Sequence, residues 1–396
     1  MGLRRYLDRI KPRFSPGGKY AKLHSTFDAF ESFLYTPATV THRGSHIRDA
    51  VDLKRTISAL LVALLPALIF GMYNVGLQHA RMTLGEGIPF WPAFVYGFLR
   101  VLPMLIVTYA VGLSIEFGVA QARGHEVNEG FLATGLLIPM VLPVSTPLWI
   151  VGIATAFAVV FGKEVFGGTG MNIFNPALVA RAFLFFAYPK YMSGDSVWVS
   201  GMNAGGTAVV DGYSGATPLL VASSEGFSGA SQLPSMFDMF MGYIPGSLGE
   251  TSTLCILVGA LILLLTGVGS FRIMFSVFAG GALMGLLFNA LGLNAYMRLP
   301  FYYHFVMGGF AFGAVFMATD PVTAAQTGVG KWIYGLLIGM FAVLVRVLNP
   351  AYPEGMMLSI LLMNAAAPLI DHLVVQRNIA QRRKRAKLVA LRGAQQ

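Results

Sequence analysis

The 396 residues are 55% hydrophobic and 12% charged, roughly half the charged share of a soluble domain, which excludes an ordinary soluble globular protein. The formal charge of +10 does not point to nucleic acid, because 11 of the 28 Lys and Arg lie in residues 1–55 and 7 lie after residue 372. One cysteine, Cys255, leaves this chain unable to build a disulfide or a four-thiolate iron–sulfur cluster alone, and its apolar setting reads as a buried, inert thiol.

In chain order, residues 1–56 form a basic segment with no apolar core of a signal peptide, so insertion by the first membrane helix is expected. Residues 27–55 interleave Phe27, Phe30, Phe33 and Tyr35 with His42, His46 and Arg48. Such a mixture suits a lipid-soluble ligand whose carbonyls need donors, and equally an amphipathic segment lying on anionic lipid. Runs of about 20 apolar residues, enough to cross a bilayer, then predict helices near 57–77, 97–118, 129–147, 148–163, 172–188, 252–270, 273–292, 301–319, 332–348 and 355–371. The uncharged stretch from Gly130 to Gly162 is divided in two because Pro139, Pro143 and Pro147 fall near its middle. The expected class is an all-α integral membrane protein. Basic termini are retained in the cytoplasm, which requires an even number of crossings. Ten crossings then place the 189–251 segment, whose only basic residue is Lys190, outside.

An Asn-Pro-Ala triplet at Asn175 recurs at Asn349, each between the fourth and fifth helix of a set of five. An odd number of crossings per set inverts the second copy, so residues 57–188 and 252–371 read as two inverted five-helix repeats, followed by a basic tail at 372–396. Sites in such folds lie at the repeat interface, where helices break. Phe166 to Ala177, with Gly167, Gly168, Gly170 and Pro176, reads as one break, tolerable only beside a cavity or ligand. A plain helix cap explains a single triplet as well. Arg181 and Glu164 flank the first triplet, and Arg346 and Glu354 the second; these are expected to brace the repeats rather than to handle ions.

The heptapeptide DGYSGAT, Asp211–Thr217, is similar to the motif at which a flavin transferase esterifies FMN onto threonine. Gly212, Gly215 and Ala216 leave the backbone open to the incoming group. Asp211 suits a Mg²⁺ and phosphate organiser, Ser214 lies in the same turn, and Thr217 offers the accepting hydroxyl with Pro218 stiffening the chain behind it. A polar turn is the ordinary alternative.

In the eighth span, Gly308, Phe312, Phe316 and Asp320 are spaced by four and fall on one helical stripe. Two rings above a carboxylate can form a hydrophobic constriction with an acidic cation mouth; simple packing, with Asp320 ending the helix before Pro321, is the other reading. Glu116 and Asp371 lie at predicted cytoplasmic helix ends. Carboxylates there are costly unless used or paired, making both candidates for cation handling, while Asp371 beside His372 also reads as a solvated pair.

DGYSGAT, KEVFGGTGMNIFNPALVARAFLFF from Lys163, GHEVNEGF from Gly124, GGFAFGAVFMATDP from Gly308 and NPAYPEGMM from Asn349 together resemble the B-subunit family of sodium-translocating NADH:quinone oxidoreductases, from residue 1 to about 380. The related D subunit of Rnf complexes shares the core, and both are similar in fold to urea transporters, so an Rnf-type subunit and a passive channel are the alternatives. The resemblance implies FMN on Thr217, noncovalent riboflavin contacted by Asn172 and Asn175, ubiquinone as electron acceptor, and Na⁺ as transported ion. It places the ion constriction at Phe312 and Phe316, and a quinone region at the N-terminal segment with Gly112 and Phe185. Asp320, Glu116 and Asp371 are the expected sodium residues. The family's inhibitor-sensitive helix has two adjacent glycines followed by a glutamate; Gly112 and Glu116 match and Leu113 does not. It further implies a six-subunit assembly in the bacterial inner membrane, with A, C, D, E and F components as partners and a maturing flavin transferase. No glycine-rich string follows a strand, so NADH is expected to be oxidised by another subunit.

Overall fold

The computed structural model describes residues 3–15, 17–35, 41, 43–45, 53–85, 87–124, 127, 129–202, 214–225, 233–349 and 354–393. Among them every regular element is helical. Two short helices, α1 (Leu3–Phe14) and α2 (His24–Leu34), precede the bundle. The first set of five then follows as α3 (Leu53–Leu84), α4 (Phe90–Arg123), α5 (Phe131–Met140), α6 (Leu148–Gly162) and α7 (Pro176–Ala187). Two small helices, α8 (Pro218–Glu225) and α9 (Met236–Met241), occupy the long connection. The second set comprises α10 (Thr253–Leu265), α11 (Phe271–Leu291), a broken element of α12 (Tyr303–Val306), α13 (Phe310–Phe312) and a π-helical turn Gly313–Met317, then α14 (Gly328–Leu348) and α15 (Met356–Gly393).

Six helices are long and apolar enough to cross a membrane, and α5, α7 and α10 are shorter apolar ones; this is a multi-pass membrane protein. Each of the ten expected spans coincides with helix, but two are not continuous. The 129–147 span shrinks to the ten residues of α5, because the chain leaves the helix after Pro139 and resumes only behind Pro147. The 301–319 span is broken at Gly308, whose φ of +61° no helix accommodates, and finishes in the π-turn. Conversely, α15 runs on through the basic tail to Gly393.

The two sets pack alike. In each, the second helix lies on the fourth, the fourth on the fifth, and the third element touches the first and fifth. The sets join where α3 meets α10 and α7 meets α15. Small residues permit close approach where little hydrophobic drive exists between helices. A Cβ on Gly280 of α11 would lie 2.1 Å from the Leu336 carbonyl of α14, and one on Gly97 of α4 would lie 1.7 Å from the Met72 carbonyl of α3.

The bundle has two faces. Leu53, Gly130, Thr169, Val268 and Val322 gather around one cavity, and Asp371 reaches Thr327 at the start of α14; we call this the terminal face. The segments 192–198, 217–220 and 244–251 gather around a second cavity on the loop face. The N-terminal segment docks on the terminal face through Phe30, whose ring lies 5.9 Å from Phe117 of α4, and through the Ser32 carbonyl, which accepts from Lys54 of α3. Phe27 is buried, stacked on Phe14 at 4.7 Å, so one of the expected ligand-facing aromatics is spent on joining α1 to α2. The side chain of Phe33, and His42, His46 and Arg48, lie outside the described residues. Cys255 is half-buried in the first turn of α10 rather than buried.

Candidate functional site: two cavities and the ring pair between them

The terminal-face cavity, about 120 Å³, is built by the break before α7. Gly167, Gly168 and Gly170 all take positive φ (+118°, +96° and +89°), which turns the chain back into the bundle as the sequence suggests. Asn175 then caps α7, its Oδ1 accepting from Ala177 N at 3.0 Å, with Pro176 in the first helical position. The second triplet is placed differently. Asn349 closes α14 by donating its N–H to Val345 O, α15 begins only at Met356, and Pro350 and Ala351 lie outside the described residues.

Asn172, Asn175, Asp320 and Phe316, which the sequence singles out by separate routes, all line this one cavity. Asn175 Nδ2 donates to Asp320 Oδ2 at 3.3 Å, and Asp320 also accepts from Thr323 Oγ1 and Val322 N at 3.1 Å each. Asn172 Nδ2 donates to Phe174 O at 3.1 Å. A carboxamide nitrogen has two N–H groups, so Asn172 and Asn175 each keep one that takes no partner among the described residues. Lys163 completes the wall, and its Nζ is paired with Glu116, both side chains about 95% buried. Glu116 therefore sits within the body of α4, two turns before its end, rather than at the rim. Gly112, one turn earlier, is packed so closely that a Cβ would meet the Phe131 ring.

Asp371 lies inside α15 rather than at a helix end, because that helix continues to Gly393, and its side chain meets the start of α14. Its carboxylate accepts from Gln326 N at 2.7 Å, Thr327 N at 3.0 Å and Thr327 Oγ1 at 2.5 Å. An anion in this place complements the helix N-terminus.

The loop-face cavity, about 220 Å³, holds Thr217 in its wall beside Phe185, Trp198, Leu219, Ile244 and Glu250. Thr217 is half-buried and its Oγ1 accepts from Leu220 N at 3.2 Å, making it the cap of α8. Gly215 is placed where a Cβ would meet the Asp195 carbonyl at 2.4 Å, and Ser214 Oγ accepts from Ala216 N at 3.3 Å. This packing fixes the end of the heptapeptide. Asp211, Gly212 and Tyr213 lie outside the described residues. Phe185 belongs to this cavity whereas Gly112 packs on Phe131 at the start of α5, so the structure does not bring the two expected quinone-region residues together.

Beneath the loop-face cavity lies a charge cluster. Arg181 of α7 donates to the Val141 carbonyl at the end of α5, to Glu250 at 2.7 Å, and to Glu354. Arg346 of α14 donates to His304 O at 2.7 Å, Met307 O at 3.0 Å and Glu354 O at 2.8 Å. The two arginines thus satisfy carbonyls freed by both broken elements. Arg181 with Glu354 braces the repeats as expected. Glu164 does not; it pairs with Arg123 at 3.8 Å inside the first repeat. Glu250 is a member that sequence reasoning missed. It directly precedes the apolar run of α10 with no further acidic residue until Asp320, a signal that was available.

Between the cavities stand Phe312 and Phe316, both buried, ring centroids 5.1 Å apart. Phe316 lines the terminal-face cavity, and a Cβ on Gly259 of α10 would lie 2.5 Å from its ring. Phe312 abuts Gly249, the neighbour of Glu250. The expected four-residue stripe is interrupted, because Gly308 lies outside the helix and the π-turn re-aims Phe316, yet the two rings remain adjacent.

The NQR2, RnfD, RnfE family description matches residues 40–380. The B subunit of the Na⁺-translocating NADH-quinone reductase of Chromohalobacter salexigens is 48% identical, over 97% of this chain and 97% of its own length. The B subunits of the Pseudomonas aeruginosa and Azotobacter vinelandii enzymes are each 46% identical, over 96% of this chain and 99% of theirs. With most of its length matched by the family and nearly all of it by these B subunits, the chain belongs to the NQR2, RnfD, RnfE family, on its Na⁺-translocating NADH-quinone reductase branch.

Proposed function

We propose that this chain is the membrane subunit of a respiratory complex that oxidises NADH elsewhere, reduces ubiquinone and exports Na⁺, with FMN esterified to Thr217 and riboflavin held near Asn172 and Asn175. The observation that carries this reading is the division of the candidate residues between two cavities on opposite sides of the Phe312–Phe316 pair. A redox group on one face and an ion path through the middle need such a division.

The residues fit the groups. Thr217 caps α8, so a phosphate diester on its Oγ1 would sit at the positive end of that helix. Phe185, Trp198, Leu219 and Ile244 offer apolar surface for an aromatic ring system beside it. On the terminal face, the spare N–H groups of Asn172 and Asn175 suit the carbonyls and hydroxyls of riboflavin. Flavin, when bound, supplies electron transfer; the chain's own task is to position it and exclude water.

For Na⁺, Asp320 and Glu116 stand on the terminal-face side and the paired rings form the narrow point, so a cation entering there meets carboxylate oxygens before the apolar barrier. Asp371 is assigned to the approach. Gly112 with the N-terminal segment is assigned to the quinone headgroup. Basic residues at both ends of the chain favour the cytoplasm for the terminal face, leaving Thr217 accessible to a flavin transferase outside, in a bacterial inner membrane. The remaining A, C, D, E and F components of such a complex would carry the NADH site and the iron–sulfur centres.

Thr217→Ala tests the reading. The denatured polypeptide is expected to lose its flavin fluorescence while the complex still assembles. Fluorescence retained on the denatured band would place the attachment elsewhere.

A further inference from the structure

The Glu116–Lys163 pair has a geometry that a purely structural ion pair does not need. Both side chains are buried, yet Lys163 also lines the terminal-face cavity, in whose wall Asn172, Asn175 and Asp320 stand. Its ammonium is a compact charge on a flexible stem, unlike the forked guanidinium of Arg181. Replacing a buried ion pair by apolar groups is often neutral or stabilising, so stability alone is a weak reason for it. Arg123, facing solvent beyond it, already serves Glu164, the other carboxylate near Glu116.

We propose that Glu116 and Lys163 form an exchange site for a monovalent cation: Na⁺ takes the place of the Lys163 ammonium on the Glu116 carboxylate, and the released ammonium turns into the cavity. There Asp320 supplies a second carboxylate, and the cavity gains one positive charge. One unit charge replaces another on Glu116, so that carboxylate stays neutralised throughout. Lys163 is thus a competitor that sets sodium affinity, and the displaced charge reports sodium occupancy to whatever occupies the cavity. The inference rests on the proposed sodium role of Glu116 and adds Lys163 to it.

The test is sodium titration of the assembled holo-complex carrying Lys163→Met, Lys163→Arg or Glu116→Gln, with turnover and a sodium-dependent thermal shift as two readouts. Removing the competitor in Lys163→Met is expected to lower the sodium half-saturation about tenfold, equivalent to about 1.4 kcal/mol. Lys163→Arg, which binds carboxylate through a fork, is expected to raise it, and Glu116→Gln to raise it further. A merely structural pair would move stability without this opposed order. If Lys163→Met does not assemble, Lys163→Arg decides, and a half-saturation equal to that of the parent overturns the proposal. An unchanged half-saturation in Lys163→Arg with a raised value in Glu116→Gln overturns the exchange but keeps Glu116 on the path; unchanged values in both overturn the exchange and remove Glu116 as well.

Discussion

The two cavities are lined by different cations, and the difference separates a brace from a more open wall. On the loop face, Arg181 and Arg346 are each held by several fixed oxygens drawn from different elements, including the carbonyls that end α5 and α12. A guanidinium tied in that way has no spare geometry; Arg181 ties the first repeat to Glu354 of the second, and Arg346 holds α12 and Glu354 within the second. On the terminal face, a lysine ammonium and two carboxamides line a cavity, and each carboxamide keeps one N–H without a partner among the described residues. Rigidity belongs to the first region, and the exchange proposed above to the second.

The contrast is open to breaking, with the largest effect expected on the loop face. Arg181→Gln would leave buried Glu250 and half-buried Glu354 without their shared cation, at a cost of roughly 3–5 kcal/mol. The variant should yield little folded protein, read as a fall in yield and in Tm in detergent. A Tm close to that of the parent would show that the cluster is not the brace described here.

Phe316→Ala addresses the boundary between the regions. Because the ring already borders a cavity, the cost should fall near the lower end for such truncations, about 3 kcal/mol. In sealed vesicles containing the complex, passive sodium leak should rise while flavin content stays. An unchanged leak would argue that the rings pack the core without limiting ion passage.

Asp371→Ala is the smallest of the three. It removes a helix-terminal acceptor worth about 1 kcal/mol, and sodium-stimulated turnover is expected to fall more than flavin content. Equal sodium dependence in variant and parent would confine Asp371 to capping α14.

Much of this arrangement was legible in the chain. Apolar run length located the six helices long enough to cross a membrane and the three shorter apolar ones, and the glycines and proline of Phe166–Ala177 marked the break that forms the terminal-face cavity. Pro139, Pro143 and Pro147 showed that one apolar stretch must divide. What sequence spacing could not carry was anything set by a turn of the chain out of helix. Gly308, Phe312, Phe316 and Asp320 share a stripe only if the helix is continuous, and a positive φ with one π-turn undoes that assumption. Partner choice was hidden as well. Lys163 and Glu116 lie 47 residues apart, and nothing in either neighbourhood announces the other. Proximity to a triplet suggests the repeat interface for Glu164, yet its partner is Arg123 at the end of α4.

Mass measurement of the peptide spanning residues 189–251, from the complex purified out of its native host, tests the central claim most directly. The account predicts that Thr217 carries the added mass of FMN less one water. An unmodified Thr217 in active, yellow complex would contradict it.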